Sequence, residues 1–246
     1  MKVLDLFSGI GGFSLGLERA GMETVAFCEY DEHAQSVLRK HWPDTPIYKD
    51  VRELDAKQYR GTVDVVCGGF PCQDLSVAGK KAGFSGERSS LYREMLRVIS
   101  ECMPRYAIFE NVTGLLTGEQ GRWFGQFLYD LAEIGFDAEW HCIEAAYVGA
   151  PHRRDRVWVI AYPKCERSQG QGGRIKPIYP AQDAYREAGG VVSAFQKGAL
   201  PYVCRGHDGV SQAVDRLTRL GNAVVPQIPE AIGRAIMEFE QQKVAA

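Results

Sequence analysis

The chain has 246 residues, of which 45% are hydrophobic and 24% charged, with a formal net charge of −2. These proportions are those of an ordinary globular protein of one to two domains and exclude collagen-like, mucin-like and wholly disordered chains. No apolar run approaches the ~20 residues that span a bilayer. Asp5 and the glycines after it argue against a signal peptide, so a cytoplasmic location is expected. Seven cysteines, an odd number spread through apolar segments, fit reduced thiols.

Strand-like and helix-like segments alternate over residues 1–162. Lys2–Phe7 reads as a buried strand ending in the glycine turn Gly9-Ile10-Gly11-Gly12. Phe13–Ala20 reads as a helix closed by Gly21, and Thr24–Cys28 as a second strand. Asp31 can cap a helix running to His41. Pro46–Tyr48 is a brief third strand and Val63–Cys67 a fourth, followed by a long loop rich in Gly, Ser and Lys. Ser89–Cys102 is an amphipathic helix, Tyr106–Phe109 a fifth strand and Trp123–Ile134 a helix. Glu139–Ala145 and Val157–Ala161 complete seven strands. The alternation predicts a doubly wound, mainly parallel α/β sheet with helices on both faces. Residues 163–205 break the pattern and read as a small irregular lobe. From Pro226 the chain is helical again, with Ile228, Ile232, Ile236 and Phe239 on one face.

Charge is unevenly distributed. Residues 151–219 hold 12 Lys/Arg against 6 Asp/Glu, whereas the rest of the chain holds 17 against 25. A basic stretch in an acidic chain suits a polyanionic partner, and a solvated polar face would look the same.

In open α/β sheets ligands sit at the carboxyl ends of strands, and four features fall there. Gly9, Gly11 and Gly12 let the backbone approach a ligand and free the N–H groups of the next helix. Glu29 can accept both hydroxyls of a ribose, with Tyr30 beside it to stack on adenine. Asp50 can accept from an adenine amino group. The spacing of turn and acid fits adenosine recognition, although Glu29 and Asp50 taken singly are equally surface residues at strand ends. The fourth feature is Gly68-Gly69-Phe70-Pro71-Cys72. Proline fixes the backbone before Cys72, and Lys80, Lys81 and Arg88 in the following loop supply positive charge that favours a thiolate. Cys28 and Cys67 read as strand cores, and Cys102 and Cys142 lie in apolar surroundings. Cys165, Cys204 and His207 form an incomplete zinc pattern, so no metal is expected. Glu110-Asn111-Val112 ends the fifth strand. A carboxyl after Ala107-Ile108-Phe109 is partly desolvated, which raises its pKa and suits it to donate a proton.

With these stretches in view, the sequence resembles the DNA (cytosine-5) methyltransferases, which use S-adenosyl-L-methionine. Asp5-Leu6-Phe7-Ser8-Gly9-Ile10-Gly11-Gly12-Phe13, Gly69-Phe70-Pro71-Cys72-Gln73, Glu110-Asn111-Val112, Arg153-Arg154-Asp155-Arg156-Val157 and Gly221-Asn222-Ala223-Val224 occur in the family's order. The resemblance implies Cys72 as the nucleophile, Glu110 as the acid facing cytosine N3, and Arg154 and Arg156 as the pair orienting Glu110 and the base. It implies cofactor contacts at Phe7, Glu29, Tyr30, Asp50, Val51 and Leu91, completed by Asn222 and Ala223 beside the glycine turn. Gln73, Ser76 and Arg88 would touch DNA from the loop after Cys72. Arg205, in a glycine-flanked turn, is a candidate base reader. Three departures stand out: His152 where the family usually has Gln, only a remnant of the arginine- and leucine-rich stretch before Gly221, and a short recognition interval. The expected organisation is a catalytic and cofactor-binding domain over 1–162, a target-recognition insert over 163–216 and a returning helix over 217–246. Double-stranded DNA is the expected partner of a monomer, with a cognate restriction endonuclease acting separately. The alternatives are a tRNA cytosine-5 methyltransferase of the same family, a non-catalytic cofactor- or DNA-binding relative, and a nicotinamide dehydrogenase, which the glycine turn and Glu29 permit but in which the Pro-Cys loop and Glu-Asn-Val have no role.

Overall fold

The computed structural model describes residues 1–71, 90–150, 154–164 and 223–245. Within them, seven strands form one sheet: β1 Lys2–Leu6, β2 Glu23–Cys28, β3 Ile47–Tyr48, β4 Val65–Gly68, β5 Tyr106–Val112, β6 Phe136–Glu144 and β7 Asp155–Pro163. Their spatial order is β3-β2-β1-β4-β5-β7-β6. Strands β1 to β5 pair in parallel, and β7 runs antiparallel between β5 and β6. The helices are α1 Gly12–Arg19, α2 Glu32–His41, α3 Ser90–Cys102, α4 Gly114–Thr117, α5 Arg122–Glu133 and α6 Gln227–Ala245.

The central strands are apolar runs because both of their faces are covered. One core packs α3 and α5 on Leu4, Leu6, Val66, Ala107 and Phe109. The other packs Phe13 and Leu17 of α1 with Ile228, Ile232 and Ile236 of α6 on Val3, Val65, Cys67 and Ile108. The three isoleucines expected to share a helical face are therefore buried together. Tyr106 donates to Glu240 at 2.6 Å and helps seat α6 on the sheet.

Strand order reverses between β1 and β4. The chain leaves β1 toward β2 on one side and reaches β4 on the other, so a crevice opens at the carboxyl ends of these two strands. Leu6 pairs with Gly68, so the turn beginning at Phe7 and the stretch Gly69-Phe70-Pro71 leave the sheet side by side.

Several strands extend beyond their expected bounds; β7 spans Asp155–Pro163 where Val157–Ala161 was expected, and two others bear on the site. β5 continues through Glu110, Asn111 and Val112, which pair with Trp158, Val157 and Arg156 of β7. β6 starts at Phe136, and its whole length pairs with β7. For β5 and β6 alike, pairing with β7 satisfies backbone groups that local propensity left unassigned. Cys142 departs from its expected apolar surroundings: it lies on edge strand β6 and is exposed.

Candidate active site

The glycine turn has an unusual backbone. Phe7, Gly9 and Gly11 all have positive φ, at 52°, 53° and 86°. For Phe7 this is a strained conformation, costing on the order of 1–3 kcal/mol, and it sits at the crevice. A Cβ on Gly9 would meet nothing within 4 Å, so that backbone faces open space. A Cβ on Gly12 would come within 2.5 Å of the Val224 carbonyl, so the segment entering α6 packs directly on the turn. Ala223 precedes that contact by one residue; Asn222 lies outside the described residues.

Glu29 follows β2 and reaches back to the turn. One carboxylate oxygen accepts from Gly9 N–H at 2.6 Å, and the other from Asp31 N–H at 2.8 Å. These bonds fix the carboxylate while leaving it further lone pairs for a ligand. Asp31 caps α2 as expected, accepting from the N–H groups of His33 and Ala34. Tyr30 is 67% exposed, with Lys49 Nζ 5.8 Å from its ring centroid.

Glu110 is buried one strand away from Gly69. A Cβ on Gly69 would lie 3.1 Å from Glu110 Oε2. Arg156 Nε stands 3.0 Å from Glu110 Oε1, and Arg154 Nη2 stands 3.7 Å from the same atom. Burial pushes the Glu110 carboxyl above the ordinary carboxylate range, against the pull of Arg156 and Arg154. Burial, then the neighbouring Arg156, lowers the Arg154 pKa. Asn111 donates to the Phe70 carbonyl at 3.2 Å, tying β5 to the residue before Pro71. Phe70 itself sits in an aromatic cluster with Tyr92 and Phe127, whose ring centroids are 5.5 Å and 6.0 Å away. The backbone entering Cys72 is thus held by both packing and hydrogen bonding, although Cys72 lies outside the described residues.

The family model of the C-5 cytosine-specific DNA methylases matches residues 1–189. The chain belongs to this family. Type II methyltransferase M.Eco47II of Escherichia coli is 40% identical over 161 residues, covering 65% of this chain and 39% of that protein. Type II methyltransferase M2.BsuMI of Bacillus subtilis is 38% identical over 165 residues, covering 65% and 42%. The chain thus matches about two fifths of the length of these relatives. Among solved structures, an Escherichia coli protein assigned as a prophage-encoded DNA modification methyltransferase superposes with a TM-score of 0.56 at 30% identity, covering 66% of this chain and 47% of that one. A Spodoptera frugiperda DNMT2 structure, at 22% identity and a TM-score of 0.55 over 73% and 60% of the two chains, shares the fold.

Three features stand where β1 and β2 end. Gly9 faces open space, Glu29 is a fixed acceptor, and Tyr30 presents an exposed ring. Other positions expected at the cofactor are differently engaged. Asp50 accepts from the Arg52 backbone N–H at 2.9 Å and from its guanidinium at 2.9 Å and 3.1 Å. Arg52 thereby holds the Asp50 carboxyl below its usual range. Val51 is buried in the core, and Leu91 is half-buried against it. Gln73, Ser76, Arg88 and Arg205, expected at DNA, lie outside the described residues.

Sequence reasoning assigned no role to Asp5, which is fully buried on β1. Its carboxylate accepts from the Ser14 hydroxyl at 2.7 Å, linking β1 to the first turn of α1. That turn has no side-chain cap of its own. Burial raises the Asp5 pKa to about 7, opposed by Ser14. The signal was present in the sequence: an acid inside Val3-Leu4-Asp5-Leu6, a run that reads as buried on both faces, needs a partner.

Proposed function

We propose that this chain transfers a methyl group from S-adenosyl-L-methionine to C5 of cytosine in a specific double-stranded DNA sequence. The observation that best supports this is Glu110, buried between Arg154 and Arg156 against the strand end that leads into Pro71-Cys72. A carboxyl whose proton affinity is raised by burial, yet gripped by cations, is suited to present a proton at one fixed place.

Cytosine C5 is a poor nucleophile. Addition of the Cys72 thiolate to C6, with Glu110 giving a proton to N3, forms a C6–S bond and turns C5 into an enamine-like carbon. The bound cofactor supplies an electrophilic methyl group. Loss of the C5 proton, departure of Cys72 and return of the N3 proton to Glu110 then restore the neutral aromatic ring. Arg154 and Arg156 orient Glu110 throughout. In a duplex the C6 face is stacked, so the target base must leave the helix to reach Cys72. The basic segment 163–216 is assigned to target recognition, and a cognate endonuclease would act as a separate, partnering protein.

Labelled cofactor tests the reading. The full chain should transfer label to duplex DNA and not to tRNA, and should form a covalent adduct with target DNA carrying 5-fluorocytosine. Cys72→Ala should abolish both while retaining cofactor binding. Transfer to tRNA alone, or no adduct on a target known to be methylated, overturns it.

A further inference from the structure

Gly11 caps α1 with φ at 86°, and its outer side is closed by an aromatic ring. A Cβ there would stand 2.6 Å and 2.7 Å from two carbons of the Trp42 six-membered ring, and 3.1 Å from a Leu38 methyl. Real Cβ atoms essentially never come that close, so the ring lies directly on the glycine backbone. Trp42 follows α2, and its backbone N–H bonds the Leu38 carbonyl at 2.7 Å. Its indole N–H donates to Glu18 of α1 at 2.7 Å. The same ring meets Phe27 edge-on at 5.2 Å. Phe27 lies on β2, two residues before Glu29.

One side chain therefore touches three pieces: the glycine turn, the helix that the turn opens, and the strand that ends at Glu29. From the crevice side, Glu29 joins the same two parts through Gly9 N–H. The turn is bracketed, with a carboxylate hydrogen bond at Gly9 and an indole wedge at Gly11.

We propose that Trp42 is a positioning residue of the cofactor site, setting the distance between the glycine turn and the strand end that carries Glu29 and Tyr30. The proposal rests on the cofactor reading above. Both ends of the bound molecule would depend on that distance. The open side of the turn at Gly9 would face one part, and the Glu29 carboxylate another. A shift of a fraction of an ångström in the turn removes the simultaneous fit without removing any contacting side chain. Trp42 reaches this role from outside the crevice, which is why no motif contains it.

The test measures affinity for S-adenosyl-L-methionine by calorimetry on the full chain, with duplex DNA affinity and far-UV circular dichroism in parallel. Trp42→Ala should weaken cofactor binding about tenfold, while Trp42→Phe, which keeps a ring on Gly11, stays within about threefold. DNA affinity should change less than about twofold, whereas a general loosening of the fold would lower both. A double-mutant cycle adds a sharper readout. Gly11→Ala alone should be severe because its methyl strikes the ring and because L side chains rarely adopt a φ of 86°. In Gly11→Ala/Trp42→Ala that collision is gone, so the two losses should fall short of multiplying by at least about fivefold. Folded Trp42→Ala with unchanged cofactor affinity, or losses that simply multiply, overturns the proposal. If Trp42→Ala does not fold, the cycle is run with Trp42→Leu, which carries no ring to Gly11, and independence there overturns it equally. A wild-type chain that binds no S-adenosyl-L-methionine removes the cofactor reading and this proposal together; wild-type binding that ignores Trp42 removes this proposal alone.

Discussion

Replacing Asp5 with Asn should change how stability depends on pH. Asp5 is fully buried, and its pKa rises from 3.8 to about 7, chiefly through desolvation. Its acceptor bond to Ser14 works the other way. In the unfolded chain the proton leaves near 3.8; in the folded chain it stays until about 7. Between these values the folded state binds the extra proton, so this group's contribution is full below the unfolded pKa and is lost as pH rises through the folded one. A shift of roughly three pKa units is worth about 4 kcal/mol, of which about 2.5 kcal/mol falls between about pH 5 and pH 8. Asn keeps an acceptor for Ser14 and does not titrate. It also brings amide hydrogens to the Asp5 oxygen that has no hydrogen-bond partner, a fixed cost independent of pH. The assay is urea unfolding of wild type and Asp5→Asn at several pH values across that window. The stability difference, variant minus wild type, should move by about 2.5 kcal/mol in the variant's favour as pH rises from about 5 to 8. Parallel curves would refute the assignment of a titrating, buried Asp5.

Three further outcomes follow from the geometry. Glu29→Ala should weaken S-adenosyl-L-methionine binding by about 1.5–3 kcal/mol, because charged hydrogen bonds are lost; unchanged calorimetric affinity would remove Glu29 from the site. Glu110→Gln should lower kcat by about 10²–10⁴-fold while the chain still binds cofactor, since an amide has no acid proton to give N3; single-turnover methylation reads this directly, and a full-rate variant would exclude Glu110 as the acid. Phe127→Ala should destabilise the chain by about 3–5 kcal/mol in urea unfolding. Phe127 is fully buried, with Phe109 at 5.1 Å and Tyr92 at 5.8 Å between ring centroids, and a loss below about 1 kcal/mol would show that this cluster can collapse around the gap.

Much of this architecture was legible in the amino-acid order alone. Short apolar runs, glycine turns and amphipathic helical periods are local signals, so strand-helix alternation, the cap at Asp31 and the carboxyl-end position of Gly9 and Glu29 could be read directly. What depends on pairing between distant segments could not. The extension of β5 through Val112 exists because β7 supplies its hydrogen bonds, and the same register sets Arg156 beside Glu110 from 46 residues further along the chain. Asp50, read as a ligand acceptor, is also engaged by Arg52 two residues away; a rotamer decides that, and no pattern announces it. Cys142 sits among apolar neighbours in sequence, yet on an edge strand its side of the pleat faces outward. Trp42 is the extreme case. Its residue type says only that it is large and aromatic, and its place against Gly11 comes from the packing of α2, β2 and α1 around one turn. Residue type and local period thus determined the elements and the chemistry at their ends. Tertiary packing alone decided which of those ends meet, because contact across the sheet depends on strand order and register, and neither is encoded locally.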